Sequence, residues 1–355
     1  ASKTRLSERQ VRNVLKQLDQ RGHVSVAIQP KPGKPPPKGC SGPITWYGGK
    51  TPLAKEILRY FPEHKKYVEV FFGGGAIFFR KPPSPVEVIN DIDNRVFNLY
   101  HVLREPTLFK ELSRLAEATL NCRQTFDSCK EVLNCPPEDF ERVEDRARLA
   151  WMFLVRCRQA RSGSPSGTWK VDHHESRRGI AKTTSAWLST VDGLPQIHER
   201  LQKAQIEKGD FADVIERHDR PGTLFYLDPP YVTSTRVHTN EYKHEMTDGD
   251  HKRLVTLLLS MKGMAVLSGY AEKTSGGEHG LYQPLDENGW SRVEFDVPCH
   301  SAKPDPDTGK KPRRTEILWL NPAAQQGLKC NASIGTASPS GEPLDAAILD
   351  SAANQ

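Results

Sequence analysis

Short apolar runs alternate with amphipathic stretches along most of the chain. Strand-like runs fall at Tyr67–Phe72, Val86–Asn90, Ala204–Glu207, Thr223–Leu227, Met264–Ser268, Val293–Val297 and Thr315–Leu320. Helical patterns fall at Pro52–Tyr60, Asp93–Leu103, Glu141–Arg156 and Asp248–Met261. That alternation predicts an α/β fold: a mostly parallel sheet with helices on both faces. The body would occupy residues 44–104 and 202–322. Residues 105–201 hold helical patterns and basic loops with little strand signal, so they read as an inserted helical subdomain. After Asn321 the chain turns to Ala, Ser, Gly and Gln without an aromatic residue, which predicts a disordered tail over 323–355.

Residues 1–28 form a unit of their own. Ser7 with Gln10 makes a capping box, Val11, Val14, Leu15 and Leu18 form one helical stripe, and Gly22 suits the residue that ends a helix. Val24, Val26 and Ile28 then alternate as in a strand. Helix, glycine and strand in that order resemble the end of a winged helix-turn-helix domain. A solvated helix and hairpin without a DNA role fits the same residues. Residues 29–43 are a Pro/Lys linker, extended and solvated, with "QPKPGKPPPKG" as its core.

Composition narrows the class. The chain has 355 residues, 36% hydrophobic and 26% charged, enough for a core under a wet surface. A net charge of +6 tilts mildly toward a polyanionic partner. No apolar run approaches the ~20 residues of a membrane span, and no signal peptide is visible at the start. Seven cysteines without a CxxC pair suit a reducing compartment, so a cytoplasmic protein is expected. Cys122, Cys129 and Cys135 lack the second half of a zinc motif, and no metal is expected.

The chemistry sits at strand ends. In "YVEVFFGGGAIFF" a strand opens into glycines and then an apolar helix start; Gly73 and Gly75 allow a tight turn and a close approach to a ligand. The stretch is neither GxGxxG nor a phosphate-cradling loop, which disfavours a triphosphate. The next strand ends in "NDID", where Asp91 is placed to grip ribose hydroxyls and Asp91 or Asp93 to cap a helix. In "ITWYGGK", Trp46 offers a flat face, Gly48 a close-approach turn and Lys50 a point charge. The strand Leu224–Leu227 runs into "DPPY", where prolines stop the ladder and hold Asp228 at the sheet's carboxyl edge. The Asp228 carboxylate and the Pro229 carbonyl can each accept one N–H of a planar amine, orienting and polarising a poor nucleophile. Pro229–Pro230 fixes the turn, and Tyr231 can stack on a base that has left its duplex.

In order, "WYGGK" (46–50), "FFGGG" (71–75), "NDID" (90–93) and "DPPY" (228–231) resemble the Dam-like DNA adenine N6-methyltransferases, over roughly Ile44 to Pro322. "RRTEILWLN" resembles the family's last strand. The resemblance implies a Rossmann-like S-adenosylmethionine-dependent fold with a target-recognition insertion, and methyl transfer to N6 of a flipped adenine in double-stranded DNA. It implies cofactor contacts at Trp46, Tyr47, Gly48 and Lys50, the last near the cofactor's carboxylate end. Phe71, Gly73, Gly75, Asp91, Asp210, Phe211 and Asp228 complete that set, with Asp91 on the ribose and Asp210 and Phe211 beside the adenine. Asp228, Pro229, Pro230 and Tyr231 would form the catalytic site. Val70 departs from the family's usual proline, and Asp93 stands where asparagine-like residues are common.

In "RCRQARSGSPSGTWKVDHHESRRG", Arg156, Arg158, Arg161, Lys170, Arg177 and Arg178 outnumber Asp172 and Glu175 and form the expected DNA contact, on a mobile loop. "TSTRVHTNEYKHEMTDGDH" suits a loop closing over a flipped base. Other planar-amine acceptors stay open: RNA adenine, cytosine N4 or a glutamine amide, with Asp228 arguing for adenine. A non-catalytic DNA-binding regulator is the remaining alternative. A monomer or weak dimer in a bacterium or phage-infected cell is expected.

Overall fold

The computed structural model describes residues 40–134, 143–232, 243–270, 280–298, 305 and 308–334. In chain order the body contains α1 (Ala54–Ile57, extended by a 3-10 turn at Leu58–Tyr60), β1 (Lys66–Glu69), β2 (Val86–Asn90) and α2 (Asn94–Arg104). The insertion follows as α3 (Pro106–Glu117), α4 (Arg123–Asn134), α5 (Val143–Gln159), a small hairpin of β3 (Ser176–Arg177) and β4 (Ile180–Ala181), and α6 (Lys182–Leu201). The body resumes with β5 (Ala204–Glu207), α7 (Phe211–His218), β6 (Thr223–Leu227), α8 (Asp248–Ser260) and β7 (Met264–Tyr270). It closes with α9 (Gln283–Glu287), β8 (Ser291–Pro298), β9 (Arg313–Leu320) and α10 (Pro322–Ile334).

The main sheet has the order β5-β2-β1-β6-β7-β9-β8. Its first five strands are parallel, and β9 runs antiparallel to both neighbours. The chain moves outward from β1 to β2 and β5, then returns to β6 on the other side of β1. Strand order therefore reverses between β1 and β6, and ligands of open α/β sheets bind at the carboxyl edge of such a switch point. Glu69 and Tyr226 are register partners there, so the segments that follow them leave the sheet side by side.

Period-two alternation builds two cores. Tyr67, Leu224 and Tyr226 pack with the helices of one face, while Val68, Phe225 and Leu227 pack with Val214, Leu254 and Leu285 on the other. The inserted helices are no separate module. Leu108, Leu112, Phe126, Phe153 and Trp187 share one cluster with the sheet residues Tyr67 and Ile89. Arg200, at the end of α6, ion-pairs with the buried Glu87 of β2, which also holds Lys81.

Several boundaries differ from expectation, with β1 stopping at Glu69 rather than Phe72, and three further differences change the picture. No helix follows the glycine turn; Phe79 N–H bonds Gly75 O at 3.1 Å and Lys81 N–H bonds Ile77 O at 2.9 Å, in successive tight turns that bury Ile77, Phe78 and Phe79. Residues 322–334 are helical rather than disordered, because Asn321 anchors their start. Its side-chain oxygen accepts from Ala265 N and Ala324 N, and its amide donates to Gly263 O. The last residues assigned to the linker join the body: Cys40 packs against the core, and a β-carbon on Gly42 would lie 2.5 Å from Gly74 O. The N-terminal piece, the linker up to residue 39, residues 233–242 of the post-DPPY loop and residues 335–355 lie outside the described residues.

Candidate active site

The segments leaving β1, β2, β5 and β6 border one cleft of about 1600 Å³, together with "WYGGK" and the edge of β9. Its first wall is the glycine turn. Gly73 has φ +47° and Gly75 φ +61°, values that favour glycine. Close packing demands glycine as well: a β-carbon on Gly73 would meet Trp46 Nε1 at 2.6 Å, and one on Gly75 would meet the Phe72 ring at 2.6 Å. Trp46 thus backs the turn, and its other side meets Phe153 of α5 edge-on.

Asp91 ties the turn to β2. Its two carboxylate oxygens accept from Gly73 N at 2.8 Å and Asp93 N at 2.9 Å. Burial raises its pKa to about 7, with those two N–H groups opposing the rise. Asp93 is the helix cap, accepting from Arg95 N at 2.9 Å and gripping the Arg95 guanidinium. Asn90 staples three segments: it donates to Val70 O and Gly209 O and accepts from Gly209 N.

Asp210 caps α7 by accepting from Ala212 N at 2.9 Å. Its other oxygen accepts from Arg253 at 2.7 Å, and the same guanidinium lies 4.5 Å from the Phe211 ring centroid. Phe71 stands 5.8 Å from Phe211, centroid to centroid, so this end of the cleft is aromatic with an acid at its rim.

At the opposite end stands Asp228, directly after β6. Lys50 Nζ lies 2.9 Å from Asp228 Oδ1, donates to Gly48 O at 3.0 Å and sits 4.6 Å from the Tyr231 ring centroid. In this structure Lys50 therefore serves the DPPY acid, whereas the sequence resemblance aims it at the cofactor's carboxylate. Burial pushes the Asp228 carboxyl up, and Lys50 opposes it. Pro229 is buried, while Pro230 and Tyr231 line the cleft beside Asp228 and Tyr47. Tyr270 meets Tyr231 edge-on at 4.1 Å.

Sequence reasoning missed two acids in this cleft, Glu69 and Glu316. Glu69 is fully buried, accepts from Tyr67 OH at 2.6 Å, and has its pKa raised to about 8 mainly by burial. Glu316 is 7% exposed and approaches Lys50 at 3.9 Å. Both are visible as single acids inside apolar strands, "YVEVFF" and "EILWL", where a solvated position is unavailable. Arg253 and Tyr270 have no comparable signal. Among the described residues, no group of three or more His, Cys, Asp or Glu side chains is placed to hold a metal, and no helix is long and apolar enough to cross a membrane.

The six basic residues proposed for DNA separate. Arg156 is excluded, being 1% exposed. Its guanidinium donates to Pro165 O, Phe126 O and Gly167 O and lies over the Phe126 ring, so it fixes the 160–169 loop from inside. That loop is pinned further by pairing of Ala160 with Trp169 and by Gly163 against Thr45. Arg158 is half-buried and donates to Thr45 Oγ1 at 3.3 Å, facing the cleft. Arg161, Arg177 and Arg178 are exposed, and Lys170 is half-exposed. Arg177 and Arg178 sit on the β3–β4 hairpin, whose turn is Arg178 (φ 56°) and Gly179 (φ 76°).

The glycine turn, the two strand-end acids and the DPPY segment occupy a stretch that also matches a family model. Residues 46–275 fit the D12 class N6 adenine-specific DNA methyltransferases. The DNA N-6-adenine-methyltransferase of Escherichia phage P1 is 29% identical over 220 residues, covering 60% of this chain and 27% of that protein. The DNA adenine methylase of Escherichia coli K12 is 24% identical over 281 residues, covering 74% of this chain and 95% of the relative. A type II methyltransferase of Methanocaldococcus jannaschii is 24% identical over 231 residues, covering 59% and 76%. The chain thus spans about a quarter of the phage relative's length and nearly all of the E. coli one. With the matched region covering well over half of its residues, the chain belongs to the D12 class of N6 adenine-specific DNA methyltransferases.

Proposed function

We propose that this chain methylates N6 of adenine in double-stranded DNA with S-adenosylmethionine as the donor. The observation that supports the reading most is the placement of the Asp228–Tyr231 segment and the Gly73–Gly75 turn across one switch point, lining one cleft. The cleft's residues fit such a donor: aromatic Phe71 and Phe211 suit a purine, and Asp91 suits ribose hydroxyls. When bound, the donor supplies an electrophilic methyl group on a sulfonium.

The chain's own groups do the rest. Asp228 and the Pro229 carbonyl accept the two N–H bonds of the target amine, fixing its plane and raising the electron density on nitrogen. Pro229 and Pro230 hold the backbone so that the carbonyl keeps its direction. Tyr231 stacks on the extruded base, whose removal from the duplex this chemistry requires. Tyr47 and Trp46 shape the wall beside Lys50, and Asp210 with Phe211 receives the adenine end of the donor. Arg161, Lys170, Arg177 and Arg178 supply phosphate contacts, the last two from the exposed hairpin. The work would be done in the cytoplasm of a bacterium or phage-infected cell, by a monomer or weak dimer.

The test is mass spectrometry of nucleosides after incubation of the protein and tritiated donor with duplex DNA and, separately, RNA. N6-methyladenine from DNA alone is the expected product. N4-methylcytosine or labelled RNA would move the reading to another amine. Asp228→Ala is expected to abolish transfer while donor binding, followed by calorimetry, survives. A variant that methylates at the normal rate would remove the proposed mechanism.

A further inference from the structure

Glu316 plays no part in the reaction as described, yet it stands among the reacting groups. It lies on β9 across the ladder from Tyr270, and it lines the same cleft as Asp228 and Tyr231. Oε2 is 3.9 Å from Lys50 Nζ, and Oε1 is 3.7 Å from an Arg314 nitrogen. The Arg314 guanidinium also lies over the Tyr270 ring at 4.4 Å. Burial pushes the Glu316 carboxyl up, while Lys50 opposes that rise, so the acid's ionised form depends on the lysine beside it.

The site contains a conflict that Glu316 resolves. An ammonium has three N–H donors and no acceptor. Lys50 commits one to Gly48 O and one to Asp228 Oδ1. While that ion pair holds, the ammonium takes one acceptor site on Oδ1 and offsets part of the carboxylate's charge, which weakens it as an acceptor for the target amine. A second buried carboxylate lies little more than an ångström beyond contact with the same ammonium. Transfer of Lys50 to Glu316 keeps the ammonium paired and opens Asp228 Oδ1 to the target amine, whose N–H donor takes the place of the lysine's.

We propose that Glu316 is a positioning residue for methyl transfer, taking over the Lys50 ammonium when the target amine engages Asp228. This inference rests on the amine-methyltransferase reading above. Glu316 touches no reacting atom and acts through Lys50. The two carboxylates approach that lysine from different strands, β6 through its DPPY extension and β9 directly, so the exchange needs a side-chain movement only.

Glu316→Gln keeps size and removes the charge. With unmethylated bacterial genomic DNA and tritiated S-adenosylmethionine, kcat is expected to fall about tenfold, the scale of one misplaced polarising group. Donor affinity by calorimetry and the melting temperature stay unchanged, and Glu316→Asp recovers part of the rate. The decisive arm is Lys50→Met in the Glu316→Gln background. If the lysine stranded on Asp228 causes the loss, the double variant is no slower than Glu316→Gln alone. A loss equal to the product of the two single losses overturns the proposal, as does wild-type kcat in Glu316→Gln. A wild-type protein that transfers no methyl group overturns the reading of function itself, which keeps the two failures apart.

Discussion

The Trp46 indole rests on the α-carbon of Gly73: a β-carbon there would lie 2.6 Å from Nε1 and 2.7 Å from Cδ1. The glycine turn is therefore held in shape by the protein's own side chain, and its φ of +47° adds a second demand for glycine. Gly73→Ala is expected to cost about 2–4 kcal/mol, combining left-handed strain with overpacking. Gly222 is the control. It has φ +84° with nothing within 4 Å of where a β-carbon would stand, so Gly222→Ala should carry the backbone penalty alone, about 1 kcal/mol. Urea unfolding midpoints of the two variants test this, and equal losses would refute the packing argument.

Two cleft carboxyls give stability a pH signature. Burial raises Glu69 from 4.5 to about 8 and Asp91 from 3.8 to about 7. Both bind protons more tightly in the folded protein than in the unfolded chain, so their contribution is fully present at acid pH and is lost as pH rises through about 7 and 8. His64 and His101, lowered mainly by burial, act in the opposite sense near the ordinary histidine range. The clean readout is therefore a difference. Between pH 6 and 9, chosen to span these values, Glu69→Gln should lose less stability than the wild-type protein, by urea midpoints. Parallel curves would show that Glu69 is ionised throughout.

Much of this arrangement is legible in the sequence because short-range rules control it. β2, β5 and β6 have the bounds that apolar runs alone suggest, and Asp228 falls at a carboxyl edge because prolines end its strand. Legibility fails where long-range packing decides. "AIFFRK" carries helical apolar spacing, but the Phe72, Phe78, Phe79 and Tyr100 rings pull it into turns under α2. Arg156 reads as one of several surface cations; only the approach of α4 and the 160–169 loop gives it three carbonyl acceptors indoors. The helix Pro322–Ile334 has weak patterning and is secured by Asn321 bonding into β7.

That difference between Arg156 and the hairpin arginines predicts two separable phenotypes. Arg156→Met leaves three carbonyl acceptors without their donor and is expected to cost about 3 kcal/mol in unfolding free energy. Arg177 and Arg178 are exposed on the hairpin, and replacing both with alanine should leave the unfolding midpoint unchanged. In DNA binding the order reverses. Each phosphate contact contributes about 0.9 to the slope of log K against log salt, so the double hairpin variant should flatten that slope by about 2. Fluorescence anisotropy across a salt series measures it, and an unchanged slope would place the DNA elsewhere.

Arg253 offers the sharpest test of the aromatic end of the cleft. Asp210 needs one oxygen for its own helix, at Ala212 N, and the other is steered by Arg253 at 2.7 Å. The same guanidinium covers the Phe211 ring, so one side chain on α8 orients both groups expected to receive the donor's adenine. The pair is substantially exposed, with 48% of the Arg253 side chain accessible, which keeps its ion-pair worth small. Together with the ring contact, about 1 kcal/mol of orientation is at stake, or roughly fivefold in affinity. Arg253→Ala is therefore expected to weaken S-adenosylmethionine binding by about that factor while kcat at saturating donor is preserved, because Asp228 and Tyr231 lie at the other end. Calorimetry gives the affinity and steady-state kinetics the split. A fall in kcat with unchanged affinity would mean that α8 acts on the target base instead.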